Sequence, residues 1–309
     1  MRPNAPLGGF GPERERERER AMLSHFPILV TRALAVLPLP ALRALGWLLG
    51  ALLYVLVGSR RRVVDTNLRL CFPAWSKQER RRHTFACFVY FAQAWLDRGW
   101  LWHGRPETVL KRLRITGAVE ELSGTAPTVI FAPHFVGLDA GWTALSQQLA
   151  RGFTTIYTRQ ANPVADAWIR QGRQRFGPCH LVAQLDGARP VIARLKAGEP
   201  LYLLPDMNFD PKDSLFVPFF GNTAATVPSL SRFARLARAK IVPVLTRMTR
   251  QGYEVEILPA WTDVPSGDLW ADTVLMNQRL EAYIQTMPAQ YYWVHKRFKD
   301  QPEGVAPPY

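Results

Sequence analysis

The sequence predicts an α/β domain, a mixed sheet flanked by helices, with a hydrophobic anchoring segment toward the amino-terminal end. Two observations carry this. After residue 125 short apolar runs alternate with helix-length stretches, the pattern of a layered α/β architecture. Before that, Ile28 to Val57 is almost unbroken apolar chain, interrupted mainly by Arg32, Arg43 and the Pro38/Pro40 pair. A length of 309 residues is ample for a large core, and neither an internal repeat nor a separating linker is visible.

Taken in order, residues 1–25 form a charged tail containing "ERERERER" at 13–20. In a helix its like charges at i,i+4 oppose its unlike charges at i,i+3, so a solvated tail is expected. Residues 26–59 are the anchor. Its longest charge-free piece, "ALGWLLGALLYVLVGS" at 44–59, falls a little short of the ~20 apolar residues of a spanning helix. A full span and a shallow anchor both remain open. Arg60, Arg61 and Arg62 follow at once where a cleaved signal would carry small residues, which argues against a signal peptide and places the downstream chain on the cytoplasmic side.

Residues 60–309 are the remaining domain. From 58 to 115 there are 13 Lys/Arg against 4 Asp/Glu, an excess that attracts an anionic phospholipid surface. Within it Ser76 and Glu79 have capping-box spacing and open a long helix that Gly99 is expected to end. Phe88, Phe91 and Trp95 share one of its faces, with Phe85 at the edge, a stripe suited to the core, to lipid or to an acyl chain. Expected strands follow at 128–132, 153–158, 201–205, 240–248, 253–258 and 291–295, and expected helices at 138–150, 163–176, 187–197, 228–239 and 268–286.

The formal charge of +14 draws anions of any kind: nucleic acid, acidic lipid, an acidic protein or a phosphorylated substrate. No nucleic-acid module is recognisable, and an apolar anchor does not suit one. The 3 cysteines are far apart and the 6 histidines lack ligand spacing, so no disulfide framework and no metal site is expected.

The stretch "FAPHFVGLDAG" at 131–141 holds the candidate chemistry. On one regular helix His134 and Asp139 would be rotated about 140° apart and could not meet. With His134 just past a strand and Asp139 in the first turn of the next helix, Gly137 allows the carboxylate to fold back onto the ring. The carboxyl end of a strand in an open α/β sheet is where ligands bind. An imidazole whose tautomer is fixed by a carboxylate serves as a general base, although the same pair also suits an ordinary turn. No GxSxG elbow offers a nucleophile.

The order "HFVGLD", "NPVADAWIRQGRQRFG", "LLPDMNFDPKDSLFVPFFG" and "PAQYYWVHKRFKDQPEG", with "NLRLCFP" at 67–73, resembles the late acyltransferases of lipid A biosynthesis, within the H-x4-D/E acyltransferase superfamily. The resemblance implies a glycerolipid-acyltransferase-like fold at the inner membrane. It also implies acyl transfer from acyl carrier protein to a hydroxyl of a lipid A precursor, without a cofactor. It assigns His134 as the base, Asp139 as the group stabilising the imidazolium, and Arg173 to the oxyanion or a substrate phosphate. Asp206 is expected to orient Arg173, with Arg159 and Asn162 lining the same cleft. Phe216, Phe219 and Phe220 are expected along an acyl-chain tunnel. His295, Lys296 and Arg297, with Lys299, are expected on lipid A phosphates. Two features depart from the pattern: Asp139 stands where many members carry glutamate, and the leader at 1–23 has no counterpart. A lyso-phospholipid or ornithine-type lipid is the alternative acceptor, and a catalytically idle lipid-binding scaffold the alternative class.

Overall fold

A computed structural model of the protein describes residues 27–208 and 210–309, so the charged tail at 1–25 lies outside the described residues. A helical stretch over 27–34 leads into α1 (Leu39–Leu56), α2 (Gly58–Cys71) and α3 (Lys77–His103). Among the described residues α1 is the one helix long and apolar enough to cross a membrane. Its inner face carries Gly46 and Gly50, where an added methyl would lie 2.5 Å from the Gln93 Cγ and 2.5 Å from the Val89 Cα of α3. Small residues at that spacing let α1 lie directly along α3. Ser76 and Glu79 form the capping box that opens α3. Gly99 does not end this helix, which runs on to His103. A Cβ there would stand 2.6 Å from the Thr31 carbonyl oxygen, so glycine admits the 27–34 stretch against α3.

After α4 (Pro106–Arg112) come β1 (Leu113–Gly117), β2 (Thr128–Phe131), α5 (Leu138–Gln148), β3 (Phe153–Tyr157), α6 (Pro163–Arg173) and β4 (Cys179–Ala183). They are followed by α7 (Arg189–Lys196), β5 (Leu201–Leu203), β6 (Leu215–Phe219), β7 (Asn222–Thr226), α8 (Ser229–Ala237), β8 (Lys240–Thr249), β9 (Gly252–Ile257) and α9 (Leu269–Thr286). The main sheet has the order β1-β9-β8-β2-β5-β3-β4, antiparallel between β8 and β9 and parallel elsewhere; β6 and β7 form a separate hairpin. The α/β class with a parallel-rich sheet between helices is the one the sequence predicts.

Strand β2 is wholly buried, as a central parallel strand covered on both faces must be. Val129 and Phe131 face one apolar cluster, Ile130 and Ala132 the other. Strands β1 and β4 sit at the two edges of the sheet and, like the β6–β7 hairpin, are not among the expected strands.

The expected strand at 291–295 is not one. Its backbone is satisfied from elsewhere: the Asn67 side-chain amide donates to the carbonyls of Trp293 and His295, each at 2.8 Å, and Tyr292 N–H donates to the His134 carbonyl at 2.9 Å. The segment instead clamps the turn after β2, with Tyr291 bridged to Phe135.

Helix α5 approaches β8 so closely that a methyl on Gly141 would stand 2.2 Å from the Thr246 hydroxyl oxygen and 2.9 Å from that of Tyr202. Gly141→Ala is therefore expected to cost about 1–3 kcal/mol, as overpacking of a filled core does. A lowered midpoint of thermal unfolding checks this; an unchanged midpoint would mean that α5 is free to shift.

Candidate active site

A cavity of about 850 Å³ opens at the carboxyl ends of β2, β5 and β3, walled by α3, α5, α6 and the start of α8. Its lining is mostly apolar: Phe91 and Trp95 from α3, Trp142 from α5, Ile169 from α6, and Phe233 and Tyr292. The aromatic stripe of α3 thus divides, with Phe88 buried in the core and Phe91 and Trp95 facing the cavity. The polar groups in this lining include His134, Asp139, Arg98 and Arg173.

Strand register decides which carboxylate meets the histidine. Strands β2 and β5 are parallel neighbours with Phe131 opposite Leu203. Three residues farther along each chain stand His134 and Asp206, side by side. The fully buried Asp206 accepts from His134 Nδ1 at 2.8 Å on one oxygen. Its other oxygen accepts from the His134 backbone N–H and from the Tyr291 hydroxyl, each at 2.9 Å. Burial pushes the Asp206 carboxyl up, but the electrostatic pull of the His134 imidazole, the two bonds from His134 and the one from Tyr291 outweigh it and hold the group below its usual range. Pinned by an ionised carboxylate, Nδ1 keeps its proton and Nε2 is the basic nitrogen.

Asp139 does not buttress His134. It is buried in the first turn of α5 and sits between two arginines: Arg173 Nε donates to one oxygen at 2.9 Å, and Arg98 donates to the other through Nε and Nη2, each at 2.9 Å. Burial pushes its carboxyl up, and the Arg173 and Arg98 guanidiniums more than reverse that, so it is ionised. Asp206 therefore does not orient Arg173 either; the two expected roles are exchanged. The chain positions Arg173 at the carboxyl end of α6, where its backbone carbonyl also accepts from Trp142 Nε1 at 2.7 Å. Both terminal nitrogens of Arg173 remain without an acceptor among the described residues. Arg98, inside a long helix with no motif around it, is absent from the expected set.

The remaining candidates lie elsewhere. Asn162 caps α6, accepting from Val164 and Ala165 N–H, and the exposed Arg159 pairs with Asp186 at 3.5 Å; Thr158 and Gln160 are the cavity residues of that loop. Phe216, Phe219 and Phe220 are outside the lining: Phe219 is fully buried against Tyr291 and Phe298, and Phe220 packs on Phe72 at the turn of the β6–β7 hairpin. Arg297 is buried too, donating to the Ala225 carbonyl and the Thr226 hydroxyl at 2.6 Å each beneath the Phe219 ring, so it ties the carboxyl-terminal segment to the hairpin. Only Lys296 and Lys299 of the expected phosphate cluster are exposed.

His295 is part of the same packing. Its Nε2 accepts from Asn208 N–H, and burial together with the nearby Arg297 pushes the imidazole down to about 4. A histidine whose folded value is depressed stabilises the fold fully above its unfolded value of 6.5 and loses that contribution as pH falls toward 4. At about 1.4 kcal/mol per pH unit this amounts to about 3 kcal/mol. Acid unfolding is expected to set in below about pH 6 and to be blunted by His295→Gln, read from stability against pH. Equal acid sensitivity in the variant would contradict it.

The chain matches the model of the family described as bacterial lipid A biosynthesis acyltransferase over residues 12–300. It is 30% identical to the lipid A biosynthesis lauroyltransferase of Escherichia coli strain K12 over 87% of this chain and 89% of that protein. It is 31% identical to the myristoyltransferase of the same strain, over 81% and 78%. A lipid A biosynthesis acyltransferase of Haemophilus influenzae is 30% identical over 79% and 77%.

Proposed function

The chain belongs to the bacterial lipid A biosynthesis acyltransferase family and is an acyltransferase; from that premise we propose that it moves a fatty acyl group from the thioester of acyl carrier protein to a hydroxyl of a lipid A precursor, with His134 as general base. The observation that carries this reading is the buried Asp206 on Nδ1, which leaves Nε2 basic beside a largely apolar cavity. Nε2 takes the proton of the acceptor hydroxyl as that oxygen attacks the thioester carbonyl carbon. The carbonyl oxygen becomes an oxyanion and is met by the terminal N–H groups of Arg173, which Asp139 and Arg98 brace from behind. Collapse breaks the carbon–sulfur bond, and the departing thiolate takes the proton back from the imidazolium. No acyl-enzyme is needed: no cysteine lines the cavity, and His134 is hydrogen-bonded to no serine or threonine among the described residues.

Helix α1 supports a shallow inner-membrane anchor better than an isolated span. Arg43, in its second turn, pairs at 2.5 Å with the buried Asp97 of α3, so that end of the helix is tied to the protein by an ion pair. Leu45, Trp47, Leu48, Leu52, Val55 and Leu56 remain exposed on the outer side. With Arg60–Arg62 at the headgroups, this face enters one leaflet of an anionic membrane from the cytoplasmic side and brings the α3 wall of the cavity to the lipid.

Incubating the purified protein with acyl carrier protein thioester and lipid A precursor in mixed micelles tests the reading. Mass spectrometry is expected to show the precursor gaining one acyl group. Acylation of a lyso-phospholipid or ornithine lipid, with the precursor untouched, would contradict it.

A further inference from the structure

Helix α8 carries both a wall of the cavity and an unpaired basic surface. Ser229 and Phe233 line the cavity, while Arg232, Arg235, Leu236 and Arg238 are exposed. At about 100° per residue, Leu236, Arg232 and Arg235 occupy the arc that begins where the Ser229–Phe233 arc ends, so the basic stripe starts at the cavity wall. Helix α7 packs beside α8 and adds exposed Arg189 and Lys196. Arg194 of α7 has an acidic partner, Glu199 at 3.3 Å, but Arg189, Lys196, Arg232, Arg235 and Arg238 pair with no acidic side chain among the described residues.

The cations at the inner end of the cavity are treated differently: Arg98 and Arg173 both meet the buried Asp139. Leu236, 53% exposed among these cations, supplies an apolar contact. Unneutralised positive charge around exposed Leu236, on a helix whose other side walls the cavity, fits an acidic protein surface with apolar residues of its own.

We propose that the α7–α8 face docks the acidic carrier protein and positions its thioester arm to enter the cavity past Ser229 and Phe233. The proposal rests on the carrier-dependent reading above and deepens it by naming the surface. It also separates two tasks, with α1 addressing the membrane and α7–α8 the carrier.

The test uses the full-length protein and two donors of one acyl chain, the carrier thioester and acyl-pantetheine, which has no protein to dock. Arg232→Glu with Arg235→Glu is expected to raise KM for the carrier thioester by at least about tenfold, and to change kcat/KM for acyl-pantetheine by less than about twofold, since rim charges act on encounter. Arg250→Glu with Gln251→Glu, a similar charge change on the β8–β9 turn, is the control and is expected to leave both donors unaffected. An unchanged carrier KM in the α8 variant would overturn the docking surface. So would an equal loss on both donors, which would move these arginines to the cavity, or lost binding to anionic vesicles with the carrier KM unchanged, which would give the face to lipid. Failure of the unmodified protein to use any carrier thioester would sink the donor reading itself, a result distinguishable from all three.

Discussion

Asp206→Asn is expected to reduce kcat for acyl transfer by about 10²- to 10⁴-fold, the range set by loss of an oriented general base. The side chain keeps its shape and an oxygen able to accept from Tyr291, so the fold is expected to survive. What it loses is the charge that fixes the His134 tautomer and stabilises the imidazolium. His134→Ala is expected to cost as much, because the two residues act as one unit. Asp139→Asn acts differently, by freeing Arg98 and Arg173 from the group that aims them. Thermal unfolding beside the kinetics separates lost chemistry from lost structure. A near-normal kcat for Asp206→Asn would leave the buried pair as packing alone.

Arg173→Gln carries the second large effect, a loss of about 10²- to 10³-fold in kcat, as expected when one oxyanion donor is removed. Arg98→Gln tests a positioning residue, since both nitrogens it engages are spent on Asp139. Its loss is expected to lower kcat through Arg173 with little change in KM, and the double variant is expected to be no slower than Arg173→Gln. Independent, multiplying losses would give Arg98 its own contact with substrate. The readout is steady-state kcat and KM across the four proteins.

Local pattern made a good deal of this legible. The buried strand before His134, the capped start of α3 and the alternation of strand and helix beyond residue 125 are short-range signals, and each marks an element the protein has. The pairing of acids with bases was not legible in the same way. His134 and Asp206 are 72 positions apart and meet only because β5 pairs with β2, a fact of strand order that no local window contains. A trace of it does exist: "IFAPH" and "YLLPD" repeat the form of a strand, a proline and a polar residue, as two parallel neighbours ending at one level would.

Arg98 and Asp139, 41 positions apart, carried no such trace, because a single arginine in a basic helix resembles its solvated neighbours. The carboxyl-terminal cations misled for the opposite reason. Their sequence reads as a charged surface, yet Arg297 is sunk under Phe219 with acceptors supplied by β7. Side-chain burial there is fixed by the hairpin, which the sequence pattern did not reveal.

The claim on which the mechanism turns is that Asp206 acts through His134. The most direct measurement is kcat for transfer to the lipid A precursor in His134→Ala, Asp206→Asn and the double variant. If Asp206 serves the imidazole, each single change is expected to cost about 10²-fold or more, and the double variant no more than the worse of the two. Losses that multiply in the double variant, or a fully active Asp206→Asn, would contradict it.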